Sequence, residues 1–206
     1  MRLNRVEKAL MNNPVRSALQ RVYEAPLLER LGGRTAGLCV LEIGCGRGVG
    51  TEIILERFGA AHVEALDLDP DMVEKARRRL ARYPADRVRV SVGDAAVIAA
   101  EDRSFDAVFD FGIIHHVPAW REAVAEVARV LRPGGRFFFE EVTCHALDRW
   151  SYRTFLDHPR DDRFSAEQFV AECEGRGIVV GGNVRTRFFG DFVIGVGRRQ
   201  DERGSR

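Results

Sequence analysis

The chain has 206 residues, 45% hydrophobic and 31% charged, the size and balance of one globular domain that needs no disulfide staples. Its longest apolar run, residues 95–100, is far short of the ~20 residues of a membrane-spanning helix, and the N-terminus lacks the apolar core of a signal peptide, so a cytoplasmic protein is expected. The formal charge is +1, but residues 1–35 hold +4 and residues 198–206 hold +2, which leaves −5 on the body and argues against nucleic acid as a partner.

Residues 1–36 read as helical, with Asn13-Pro14 as a break and restart. Short apolar strands then alternate with helical stretches, the pattern of a parallel α/β sheet. Strands are predicted at 38–43, 62–67, 88–92, 106–111, 135–141, 178–182 and 191–197. Asp69-Pro70 supplies an N-cap and a first-turn proline for a helix to about Arg82. Trp120, Val124, Val127 and Leu131 share a helical stripe that Pro133-Gly134-Gly135 stops. Ser165 and Gln168 form a capping box for a helix ending near Gly175 or Gly177. Residues 142–164 form a connection long enough for a lid or binding loop, and residues 200–206 read as a disordered tail. Four cysteines (Cys39, Cys45, Cys144 and Cys173) include no C-x-x-C, so neither a zinc cage nor a dithiol site is signalled and no metal is expected.

The most informative stretch is Val40-Leu41-Glu42-Ile43-Gly44-Cys45-Gly46-Arg47-Gly48-Val49-Gly50. A buried strand runs into a glycine-rich turn, where the backbone can bend sharply and a ligand can approach closely. The spacing is G-x-G-x-G; Val49 stands where a dinucleotide fingerprint needs its last glycine. No phosphate-binding lysine follows. The first three strands each end in or near a carboxylate, namely Glu42, Asp67 and Asp94. In a parallel sheet these ends converge on one crevice, and the acids suit a nucleoside ligand of positive charge. Asp67 lies where an acid accepts from ribose hydroxyls; a helix-capping role is the alternative.

The stretches VLEIGCGRG, ALDLDPDMVEKA, VGDA, FDAVFDFGIIHHVP and EVARVLRPGGRFFF, in that order over residues 38–197, resemble the class I S-adenosylmethionine-dependent methyltransferases. The nearest resemblance is to the branch with quinone-biosynthesis and natural-product enzymes. It implies a Rossmann-like three-layer sandwich with a seven-stranded, mostly parallel sheet whose last strand is antiparallel. It also implies that Glu42, Gly44, Cys45 and Gly46 border the methionine part of S-adenosylmethionine. Asp67 would hold the ribose, Leu68 would lie against adenine, Asp94 would accept from the adenine amino group, and Ala95 would offer its N–H. Phe111 would lie beside the methionine portion.

Methyl transfer needs a base only where the accepting atom must lose a proton. Candidates are His115 and His116 after the fourth strand, Glu140 and Glu141 at the end of the fifth, and His145 and His158 in the long connection. Strand alternation puts Glu140 and Glu141 on opposite faces, and His115, His116 and Glu141 are the favoured set. The fourth strand continues as Phe111-Gly112-Ile113-Ile114, without the [D/N/S]-P-P-[Y/F] of amino-directed nucleic-acid methyltransferases. The expected organisation is therefore a helical lid over 1–36 and a cofactor-binding domain over 37–199. Tyr23, Leu27, His145, Trp150, Tyr152, Phe155 and His158 would wall a pocket for a small organic acceptor methylated at oxygen, carbon or nitrogen. A non-catalytic cofactor-binding subunit is the alternative, and nothing in the sequence fixes the oligomeric state.

Overall fold

The computed structural model describes residues 13–147 and 162–201. The tail beyond Asp201 and the lid candidates Trp150, Tyr152, Phe155 and His158 lie outside the described residues. Five strands, β1 (Cys39–Ile43), β2 (His62–Asp67), β3 (Val88–Val92), β4 (Phe105–Phe111) and β5 (Leu131–Val142), run parallel. They are joined on the other side of β5 by β6 (Ile178–Val179), β7 (Val184–Arg187) and β8 (Phe192–Arg199). The order is β3-β2-β1-β4-β5-β8-β6, with β7 also on β8, and the β8 pairings are all antiparallel. The expected seven positions are all there, but the sixth is shared by two short strands. Residues 180–183 interrupt it, and the register against β8 shifts across the gap, as a bulge requires.

Period-two alternation divides the core. Leu41, Val108, Phe137 and Phe139 point to one face, where α5 (Trp120–Val130) and α6 (Ala166–Gly175) pack. Val40, Phe109 and Phe138 point to the other, against Leu28 of α2 (Ala25–Gly32) and Ile53 of α3 (Val49–Ile53). Phe109 and Phe138 stack there with ring centroids 4.3 Å apart. Ala65 and Val90 lie beneath α4 (Pro70–Leu80).

Helix starts follow their chemistry. Asp69 caps α4 by accepting from the N–H of Asp71, and Ser165 and Gln168 complete their capping box. Asn13 caps α1 (Pro14–Leu19), accepting from the N–H of Val15 at 2.8 Å, and a π-helical turn, Gln20–Glu24, joins α1 to α2. Leu131, placed on the helical stripe by periodicity, instead opens β5, so Pro133-Gly134-Gly135 lies within a strand. Pairing with β4 overrides the helical period there, through a register irregularity between Phe105 and Ala107. Among the described residues no helix is long and apolar enough to cross a membrane.

Candidate active site

The sheet order reverses between β1 and β4, which opens a crevice at their C-terminal ends. The turn after β1 enters it through Gly44, at φ +67°; a Cβ there would stand 2.3 Å from the Ile113 side chain. Asp67, at the end of β2, holds the turn from the side. Its Oδ2 accepts the Gly46 N–H at 2.8 Å and its Oδ1 accepts the Asp69 N–H at 2.9 Å. Asp94 accepts the Ala96 N–H at 2.9 Å and so fixes the loop after β3. Gly44, Asp67, Leu68, Asp94, Ala95 and His116 all line one cleft of about 320 Å³. Among the described residues no lysine or arginine lines it.

Glu42, Cys45 and Phe111 are buried around the turn and do not line that cleft. The Glu42 carboxyl accepts from the Thr51 hydroxyl. A Cβ on Gly50 would lie 2.0 Å from its Oε1 and 2.7 Å from the Phe111 ring, so the helix can approach only with glycine there. Burial pushes the Glu42 carboxyl up to about 8 against the Thr51 bond, and Asp67 and Asp110 add to the rise.

A second polar group sits under the turn that follows β4. Asp110 Oδ1 accepts the N–H groups of Gly112 and Ile113 at 3.1 and 2.9 Å. Glu141 Oε1 accepts the Ile114 N–H at 2.6 Å, and its Oε2 accepts the His115 N–H at 3.1 Å. The same Oε2 lies 2.5 Å from His115 Nδ1. Burial raises Glu141 to about 7 and lifts Asp110 well above the ordinary carboxylate range, where the Glu141 charge adds to the effect. With Nδ1–H turned to the carboxylate, Nε2 of His115 is the acceptor nitrogen. The His115 and His116 rings are 4.1 Å apart, yet His116 lines the cleft and His115 lines a narrow recess with Trp120, Leu147 and Phe164.

Glu140 points to the opposite face from Glu141. Its Oε2 accepts from Arg16 Nη2 at 3.0 Å, and Arg16 also pairs with Glu24. Burial, then the Glu140 charge, raises Glu24 to about 9. This trio ties the N-terminal helix to the end of β5.

A family model described as a methyltransferase domain matches residues 40–135. Over that stretch, a little under half of the chain, the sequence is similar to the methyltransferase domain family. It is 42% identical over 109 residues to a probable S-adenosylmethionine-dependent methyltransferase of Mycolicibacterium smegmatis, covering 53% of this chain and 40% of that protein. It is 38% identical over 124 residues to a fatty-acid O-methyltransferase of the same organism, covering 60% and 44%. The matches span between a quarter and just under half the length of the curated relatives. A methyltransferase structure from Aquifex aeolicus superposes with a TM-score of 0.72 at 20% identity, over 96% of this chain and 98% of that one; it shares the fold.

Within this family frame, four participants escape the sequence patterns. Gly50 and Thr51 follow Glu42 at eight and nine residues, and only the fold brings them back against it. Asp110 stands in FDAVFDF, where an acid ending an apolar strand was the available signal. Arg16 follows a helix cap with nothing in the local sequence to link it to Glu140, 124 residues on.

Proposed function

We propose that the chain methylates a small organic acceptor whose attacking atom carries a proton, a hydroxyl in the first instance. The observation that carries this reading is the His115–Glu141 pair, one residue along the chain from the His116 that lines the acid-rimmed cleft. The cleft's chemistry suits S-adenosylmethionine: carboxylates at Asp67 and Asp94, no lysine or arginine among the described residues that line it, and a glycine turn that allows close approach. Held there, S-adenosylmethionine would supply an electrophilic methyl group on a sulfonium.

Asp67 would accept from the ribose hydroxyls while its oxygens keep the Gly46 and Asp69 N–H groups. Leu68, Asp94 and the Ala95 N–H would hold adenine, and Glu42, Gly44, Cys45, Gly46 and Phe111 would border the methionine portion. Holding the reactants in line in a dry pocket is the main catalytic contribution. His115 Nε2 would take the acceptor's proton, and Glu141 would stabilise the resulting imidazolium. Glu141 is then a positioning group, since both its oxygens are already engaged. His116 would shape the cleft. The N-terminal helix, clipped by Arg16, and the connection 142–164 would cover the acceptor; the Arg16–Glu140 bond supports that placing.

The test is turnover of labelled S-adenosylmethionine against phenols, alcohols, amines and carboxylates. Hydroxyl acceptors should yield S-adenosylhomocysteine and methyl ether at a rate that rises as a histidine deprotonates. Binding without turnover on any acceptor would instead mark a cofactor-binding subunit.

A further inference from the structure

Among the described residues, ten large hydrophobic side chains are exposed, and six of them fall on two adjoining elements. Val15, Leu19, Val22 and Tyr23, spaced i, i+4, i+7 and i+8, lie along one face of the N-terminal helix. The Tyr23 end of this face meets the β7–β8 hairpin, where its hydroxyl accepts from Arg187 Nε at 2.7 Å. The hairpin tip then presents Phe188, 70% exposed, and Phe189, 100% exposed.

The tip is strained in order to do so. The Gly190 N–H donates to the Arg187 carbonyl at 3.2 Å, and the residues between, Phe188 and Phe189, stand at φ +51° and +61°. Two left-handed residues in a hairpin turn are the province of asparagine and glycine; bulky side chains there are outliers. Phe189 is fully exposed and so recovers nothing from burial. An exposed outlier of this kind points to function.

Charge identifies the occupant. Among the described residues, Arg185 and Arg187, on the strand leading to the tip, bond only backbone carbonyls and the Tyr23 hydroxyl. Among the described residues no carboxylate lies within 4 Å of either, whereas Arg16, Arg21, Arg82 and Arg129 each pair with two. A second copy docked through this face would bring like charges together. A protruding tip offers no groove to a peptide, but a lipid interface asks only for apolar side chains that insert and cations beside them.

We propose that the hairpin tip and the helix face dock this protein on an anionic lipid surface, with Phe188 and Phe189 inserted among the headgroups and Arg185 and Arg187 against lipid phosphates. The tip follows Val142↔Phe192 pairing at the end of β5, so the docked face and the candidate site share one end of the sheet.

Co-sedimentation with phosphatidylcholine–phosphatidylglycerol vesicles tests this, with pure phosphatidylcholine vesicles as the neutral arm. The protein should sediment with the anionic vesicles and lose that binding as salt rises. Phe189→Ser should weaken it about tenfold or more, and Arg185→Gln and Arg187→Gln about fivefold each. Phe189→Gly should weaken vesicle binding while raising the melting temperature by roughly 2–4 °C, because glycine relieves the left-handed strain. No sedimentation with anionic vesicles, or binding unchanged in Phe189→Ser, overturns the proposal. So does a dimer in analytical ultracentrifugation that Phe189→Ser dissociates, which would make the face a subunit interface.

Discussion

His115 and Glu141 meet across 2.5 Å in a place where neither side chain is more than 4% exposed. The carboxylate comes from the end of a central strand and reaches up under the turn that carries the imidazole, so ring, turn and strand are fixed together. His115→Ala should keep cofactor affinity and lose on the order of 10²–10⁴ in turnover on a hydroxyl acceptor. Glu141→Gln keeps the shape but turns an amide N–H₂ toward a donor, at a cost of about 1–3 kcal/mol in stability, and should shift the histidine limb of the rate profile to lower pH. Kinetics against pH with a urea melt separate the two effects. Full activity in His115→Ala would remove the base.

Asp67→Asn should weaken S-adenosylmethionine by about tenfold to a hundredfold, since a charged acceptor becomes a neutral one that faces two backbone donors with a single oxygen. Calorimetric titration measures it directly. An unchanged dissociation constant would take Asp67 out of the cofactor site.

Gly50→Ala should cost about 1–3 kcal/mol and much of the cofactor affinity. Its new methyl would collide with the Glu42 carboxyl, fully buried, and with the Phe111 ring. A thermal melt alongside the same titration decides the point; wild-type values in both would mean that the α3 contact is looser than described.

Glu42 ties stability to pH. Burial raises its carboxyl to about 8, while an unfolded glutamate ionises near ~4.3. Between those values the folded chain keeps a proton that the unfolded chain has lost, so stability is greatest below the window and falls as pH rises through it. Glu141 and Glu24, raised to about 7 and about 9 by burial first, act in the same direction. Glu42→Gln should therefore flatten, without abolishing, the decline in melting temperature between about pH 5 and 8. A cationic cofactor favours the ionised acid, so its affinity should rise over the same range in the wild type and release protons that buffers of different ionisation enthalpy reveal.

Arg16→Ala should destabilise by on the order of 3 kcal/mol, because Glu24 and Glu140 stay buried together without their cation. Adding Glu140→Gln should restore part of that loss. Chemical denaturation of the two variants checks it, and additive losses would show that the trio does not act as a unit.

How far the sequence reaches depends on the range of the interaction that decides each feature. The strands ending at Ile43, Asp67 and Phe111 were legible because a buried parallel strand writes itself as a short apolar run. The helices after Asp69 and Ser165 were legible because capping is settled within three residues. β7 was not: Val184-Arg185-Thr186-Arg187 is an edge strand with none of its residues buried, and no apolar run marks it. The same limit governs the site. Asp67 and Asp94 follow from their place at strand ends, but the division of labour between His115 and His116 depends on which way a three-residue turn rolls over Glu141. The resemblance to a methyltransferase supplied the ligand; it did not supply Thr51, Gly50 or Arg16, whose partners are brought to them by the sheet.

The turn Ile114–His116 takes its shape from below, from two carboxylates rooted in β4 and β5 that bind four successive N–H groups, those of Gly112, Ile113, Ile114 and His115. The side chains of the turn, Ile114, His115 and His116, are all buried, yet its backbone is anchored without them. Asp110 and Glu141 therefore form a platform that should hold the loop beside the cleft in place when a side chain above it is replaced.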